Sequence, residues 1–233
     1  MRNGDIFIKK FNELEDVLRQ KFGPGPDNHV TFFELVEMVA QKDVVVRRRK
    51  SILKSMGNLR NAIVHGRDYP EKILADPRDE IVQELKQLCD EIAKPEKLIP
   101  RFQKKLRVFE EDESLGECLS FMKENDFSQV VVKSGEEYTL LSSEGVVKWL
   151  EKSREIGLAD LEEATIKDAL RFEDSKSCRY LGRNLPIDEA IETFEKAISQ
   201  GIPRLQAILI TGTGKPNEPP LGIVTPWDLL SLP

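Results

Sequence analysis

Leu221-Gly222-Ile223-Val224-Thr225-Pro226-Trp227-Asp228-Leu229-Leu230 reads as a short strand over 222–225 that runs into a helix over 229–232. Working outward, a Gly/Pro-rich turn separates it from an apolar strand over 205–210. Before that strand, Ile187, Ala190, Ile191 and Phe194 repeat at helical spacing. The same order occurs once earlier. Leu115, Cys118, Leu119 and Met122 carry the identical spacing, followed by strands over 129–132 and 138–141 and a helix over 146–150. Two copies of helix, strand, strand, helix predict a paired α/β module.

Upstream the pattern is different. Ile6, Ile8, Phe11, Leu14, Val17, Leu18 and Phe22 fall mostly three and four apart and stop at Gly23-Pro24-Gly25-Pro26, which predicts an amphipathic helix over 5–22. Thr31, with Glu34 three residues on, marks the start of a second helix through Phe32, Leu35, Val36 and Val39. A third is expected over 46–65, with Gly66 ending it. A fourth is expected after Asp76, with Pro77 at its first position and Ile81, Leu85, Leu88 and Ile92 inward. The first 95 residues therefore read as an up-and-down helical bundle, and the change of pattern after Lys94-Pro95 puts a domain boundary near 95–100. The fold class expected is α+β: an all-α bundle over 1–95, then a tandem α/β pair over 98–233, its repeats at about 98–152 and 165–233.

The third helix ends Leu59-Arg60-Asn61-Ala62-Ile63-Val64-His65-Gly66. Asn61 and His65 are one helical turn apart, and Arg60 flanks them with a long side chain. Attack of a ribose 2′-hydroxyl on the adjacent phosphorus needs proton transfer and charge stabilisation but no metal. Histidine can move the proton, guanidinium can grip phosphate oxygens, and a carboxamide can orient either. This stretch resembles the motif of the HEPN family, Arg, a polar residue, a spacer and then His, on the third helix of a bundle. The resemblance implies a metal-independent ribonuclease site formed where two protomers meet, with Arg60, Asn61 and His65 catalytic and a homodimer required. The same three residues can instead simply cap a helix end, since cations favour its C-terminus and a following glycine is ordinary there. The run Arg47-Arg48-Arg49-Lys50, about three turns upstream, reads as a solvated face or an RNA backbone contact. His29, with no Cys or His beside it, reads as a surface residue rather than a ligand.

The opening stretch resembles the strand-to-helix signature of CBS modules: glycine, two apolar residues, Ser or Thr, two spacers, then Asp. CBS pairs bind adenosine nucleotides as regulatory modules, which implies Thr225 at a phosphate and Asp228 at the ribose hydroxyls. Physical chemistry allows both, because a helix N-terminus attracts anions and a carboxylate can accept two O–H donors. Thr225 as an N-cap with Asp228 in the first turn, and no ligand, is the alternative. The first copy departs from the pattern at Leu140-Leu141-Ser142-Ser143-Glu144-Gly145, where the hydroxyl is kept and glycine replaces the aspartate. Only the second copy is expected to hold a site. Gly212-Thr213-Gly214-Lys215 looks like part of a phosphate loop, but Pro216 follows the lysine, and a hairpin turn is expected instead.

Composition narrows the classes further. The chain has 233 residues and a net charge of −6, with 18 Lys+Arg against 17 Asp+Glu over 1–97 and 17 against 24 over 98–233. An acidic total argues against bulk electrostatic attachment to nucleic acid, so any RNA contact must be local. No apolar run approaches the ~20 residues of a membrane span, and the N-terminus lacks the apolar core of a secretory signal. Three scattered cysteines, Cys89, Cys118 and Cys178, match neither a disulfide framework nor a metal site, so a cytoplasmic protein without a metal is expected.

These readings converge on a homodimeric, metal-independent RNA endonuclease that needs no catalytic cofactor and is regulated by an adenine nucleotide on the CBS-type pair. Two rivals accompany it. One is a non-catalytic nucleotide-sensing and dimerisation protein; the other is a toxin or defence effector, which implies a neutralising protein partner.

Overall fold

Apolar residues spaced by three and four around Phe11 become α1 (Asn3–Phe22) in a computed structural model that describes residues 2–22, 30–65, 75–155, 161, 163–201 and 205–232, the side chains of 65 and 155 excepted. The chain forms two units, 1–96 and 97–233. In the first, the buried line of α1 is Phe7, Phe11, Leu14 and Leu18, so Ile6, Ile8, Val17 and Phe22 flank the core rather than form its centre. α2 (Phe32–Ala40) starts at the expected box: Thr31 N–H donates to Glu34 Oε2 at 2.9 Å, and the Glu34 N–H returns a 3.4 Å bond to the Thr31 hydroxyl.

The helix expected over 46–65 is two helices, α3 (Val44–Arg48) and α4 (Lys50–His65). Asp43 explains the early start, because its Oδ1 accepts the Val46 N–H at 3.0 Å while Oδ2 takes Lys21 Nζ at 2.6 Å. Val44, Val45 and Val46 can then all be buried in the short helix, and the turn at Arg49 re-aims α4. α5 (Asp79–Ala93) begins later than expected. Pro77 lies outside it because Asp76 and Pro77 are held by the start of α1: Asp76 Oδ1 accepts the Gly4 N–H at 2.7 Å, and the Pro77 carbonyl accepts Asn3 Nδ2 at 3.0 Å. Val82, Leu85, Leu88, Cys89 and Ile92 of α5 complete one core with Leu53, Met56 and Ile63 of α4.

The second unit opens with α6 (Leu98–Arg101) and then builds two three-stranded sheets. β1 (Val108–Glu110), α7 (Leu115–Glu124), β2 (Gln129–Ser134), β3 (Glu137–Ser142) and α8 (Ser143–Glu155) make the first copy. After α9 (Ile166–Leu170), the second copy repeats the order as β4 (Cys178–Gly182), α10 (Ile187–Ser199), β5 (Ala207–Thr211), β6 (Gly222–Val224) and α11 (Pro226–Leu230). In each sheet the first two strands are parallel and the last two antiparallel, with Val108 opposite Val131 and Cys178 opposite Ala207. Each copy thus begins with a strand that the helix, strand, strand, helix pattern did not include. β1 has one fully buried side chain, Phe109, and is too short to show a period.

The middle strands are apolar without alternation because both of their faces are covered. Val130 and Val132 pack with α7 and α8, while Val131 joins Leu140, Cys178, Ala207 and Leu209 in a separate cluster drawn from both sheets. Tyr180 Oη ties the sheets by donating to the Tyr138 carbonyl at 2.6 Å. The lead-in helices are exchanged. α6 places Leu98 and Ile99 in the core of the second copy, and α9 places Ile166 and Ala169 in the core of the first.

Candidate functional site

The exchange of lead-in segments positions the site. Just after α6, Gln103 bridges Gly222 and the Lys104 N–H donates to the Leu221 carbonyl at 3.3 Å, so the chain ahead of β1 lies along β6. Gly222 permits this approach, since a Cβ there would stand 2.1 Å from the Phe102 carbonyl oxygen. A cavity of about 740 Å³ opens between the lead-in and the start of α11, with Lys104, Lys105, Arg107, Thr225, Trp227 and Asp228 among its lining.

At its wall, Thr225 and Asp228 form a capping box. Asp228 Oδ2 accepts the Thr225 N–H at 2.8 Å and the Thr225 hydroxyl at 2.7 Å. Asp228 Oδ1 takes Lys104 Nζ at 2.9 Å, a partner 124 residues away. Burial pushes the Asp228 carboxyl up, but the bonds from Thr225 and Lys104 outweigh it and hold the group below its ordinary 3.8. It is therefore ionised at neutral pH. The Arg107 guanidinium lies over the rings of Phe109 and Phe121, at 4.3 and 4.9 Å from their centroids. Trp227 is 78% exposed at the cavity. The result is a concave surface with cations, a hydroxyl, an ionised carboxylate and an indole, able to hold a planar, polyhydroxylated anion.

The corresponding turn of the first copy is occupied by the chain itself. Glu173, in the segment between α9 and β4, accepts the Ser142 N–H at 2.9 Å and the Ser142 hydroxyl at 2.9 and 3.1 Å. The Ser142 hydroxyl in turn accepts the Gly145 N–H at 3.1 Å. A Cβ on residue 145 would meet Glu173 Oε2 at 2.2 Å. The glycine that replaces the expected aspartate thus leaves room for a carboxylate arriving from elsewhere in the chain.

No protein-family profile matches the chain, and no curated protein matches it. Among solved structures, it is similar over 59% of its length to all of Hypoxic Response Protein I, crystallised with two coordinated zinc ions, at 18% identity and a TM-score of 0.43. It is also similar to a hexameric CBS-CP12 protein from bloom-forming cyanobacteria, over 59% of this chain and 68% of that one, at 14% identity and a TM-score of 0.43. CBSX2 in complex with AMP matches over 55% of this chain and 90% of its own, at 12% identity and a TM-score of 0.40. These likenesses say nothing about individual residues. The chain itself has an all-helical N-terminal region followed by two mixed α/β repeats, each built on a three-stranded sheet.

The other predicted site lies on α4. Arg60 Nη1 donates to Asn61 Oδ1 at 3.3 Å, and both residues line a cavity of about 320 Å³ with Phe11, Glu15, Thr31 and Gly57. Arg60 Nε is buried without a hydrogen-bond partner among the described residues. His65 ends α4 one turn beyond Asn61, and its side chain lies outside the described residues, as do His29 and Gly66. The basic run makes contacts within its own unit: Arg47 Nη1 donates to the Ala40 carbonyl at 2.8 Å, Arg49 pairs with Glu91 at 2.6 Å, and Lys50 and Lys54 both reach Glu37 at 2.6 Å. It also spans the α3–α4 junction rather than one continuous helix. The 212–215 stretch is in the β5–β6 connection, where Glu218 accepts the Thr213 N–H at 2.6 Å, as suits a hairpin turn.

Lys104, Arg107 and Glu173 are the site residues that sequence reasoning missed. Lys104-Lys105-Leu106-Arg107 was visible as a cation cluster, but only the fold brings it to Asp228.

Proposed function

We propose that the chain is a regulatory protein in which the second cleft of the CBS-like pair, over 98–233, binds an adenine nucleotide through Thr225 and Asp228. One observation carries the reading: the cavity that holds this hydroxyl and ionised carboxylate is also lined by Lys104, Lys105 and Arg107. A carboxylate suits ribose hydroxyls, and the cations suit phosphate. The adenine preference follows from the resemblance of 221–230 to the CBS signature. Titration calorimetry of the full chain with AMP, ADP and ATP tests it. Saturable binding below millimolar concentration, weakened about tenfold or more by Asp228→Ala, is the expected outcome. Absence of binding at millimolar concentration contradicts it.

A second reading has its own observation. The buried, unpartnered Arg60 Nε beside Asn61 supports an anion-handling role for the HEPN-like motif over 1–95, with His65 as the proton-transfer group. On this reading the chain is a homodimeric ribonuclease gated by the nucleotide. Cleavage of mixed RNAs should then survive EDTA and fall by about 10²–10⁴ in His65→Ala. Cleavage that requires added Mg²⁺, or persists in His65→Ala, removes the motif from the chemistry.

A further inference from the structure

We propose that Lys104 makes the second cleft selective for phosphorylated ligands by imposing a penalty on nucleosides that lack an anion. The inference rests on the reading that this cleft binds a nucleotide, and it follows from counting acceptor positions on Asp228. An ionised carboxylate offers about four lone-pair sites. Two, on Oδ2, are taken by the Thr225 N–H and hydroxyl, and one, on Oδ1, by Lys104 Nζ. A single position remains. A ribose diol brings two donors, so both can reach Asp228 only if Lys104 leaves.

Lys104 is free to leave, being 48% exposed and held to Asp228 by one contact. It is displaced into a cavity wall that already carries Lys105 and Arg107. Lys105 has no ion pair among the described residues, and Arg107 has only Glu113, at 4.0 Å. A bare nucleoside therefore exchanges an ion pair for a displaced ammonium beside Lys105 and Arg107, with Asp126 the other carboxylate in the cavity lining. A nucleotide exchanges it for a phosphate, which pairs with the displaced ammonium and its neighbours. Discrimination comes from the broken Lys104–Asp228 contact as much as from the new phosphate contact. Removing the lysine should accordingly help the nucleoside while it hurts the nucleotide.

The test is calorimetric titration of the full chain with adenosine and with AMP, in wild type, Lys104→Met, Lys104→Arg and Asp228→Asn, each checked for a cooperative thermal unfolding transition above the titration temperature. Trp227, exposed at the cavity, gives a fluorescence readout beside the heat. In Lys104→Met the AMP-to-adenosine affinity ratio should fall about fivefold or more, with adenosine binding tighter than in wild type, and Lys104→Arg should restore the preference. If the ratio is unchanged in Lys104→Met while Asp228→Asn weakens AMP, the Lys104 proposal is overturned and the nucleotide reading stands. If neither ligand binds the wild type, or Asp228→Asn leaves AMP affinity unchanged, both fall together.

Discussion

Gly145 and Gly222 are both glycine for want of room, yet the atoms that crowd them differ in kind. At Gly222 the obstacle is a backbone carbonyl, Phe102 O, in a segment already bonded to β6. At Gly145 it is the end of the Glu173 side chain, which can swing away at the cost of its bonds to Ser142. Gly222→Ala should therefore cost more than Gly145→Ala: about 3 kcal/mol or above for a backbone that must shift, against about 1–2 kcal/mol for hydrogen bonds lost at a half-buried site. Urea unfolding of the two variants checks the order, and a neutral Gly222→Ala would refute it. The sequence made one of these glycines legible, since Gly222 opens a recognisable strand-to-helix turn. It could show only that Gly145 stands where an aspartate was expected. That another carboxylate fills the place depends on the Ser142–Glu173 contact, which spans 31 residues and lies beyond any local pattern.

Two helix starts, at Thr31 and Thr225, were legible because a capping residue and the acid three positions on are close in sequence; Thr165 with Asp168 forms the same box but was not singled out. Thr31 with Glu34, Thr165 with Asp168 and Thr225 with Asp228 all put the acid's carboxylate on the N–H and hydroxyl of the threonine. Backbone and hydroxyl bonds from Thr31 lower the Glu34 carboxyl, those from Thr165 lower Asp168, and Asp228 is lowered despite its burial. A carboxyl held below its unfolded value contributes stability that is present above that value and lost as pH falls through the folded one. Thermal midpoints should thus be insensitive to these groups between about pH 5 and 8 and decline as pH falls below the ordinary values of 4.5 and 3.8. Thr31→Ala should cost about 1 kcal/mol at pH 7 and leave nucleotide affinity unchanged; a variant as stable as wild type would show the box to be idle. Less legible were the early start of α3 and the delayed start of α5. Both are set by side chains that reach across sequence: Lys21 to Asp43, and Asn3 to Pro77. Short β1 and β4 escaped for another reason, as three to five residues hold too few alternations to stand out.

Across the whole molecule, the repeat was readable as two similar copies, and Gly145 marked the first as the one lacking the aspartate; what occupies that turn was not readable. The same turn that closes on Glu173 in the first copy opens in the second on a cavity with Lys104, Lys105 and Arg107. Both outcomes depend on the segment that precedes the opposite copy, supplying a carboxylate to one turn and an ammonium to the other. Repeat similarity alone would give two sites, whereas the departure at Gly145 and the packing of Glu173 both favour one. The number of nucleotides bound per chain is therefore the most direct measurement of the account. Titration of the 233-residue chain with AMP should saturate at one per chain and lose that event in Asp228→Ala; saturation at two per chain, or binding that ignores Asp228, would contradict it.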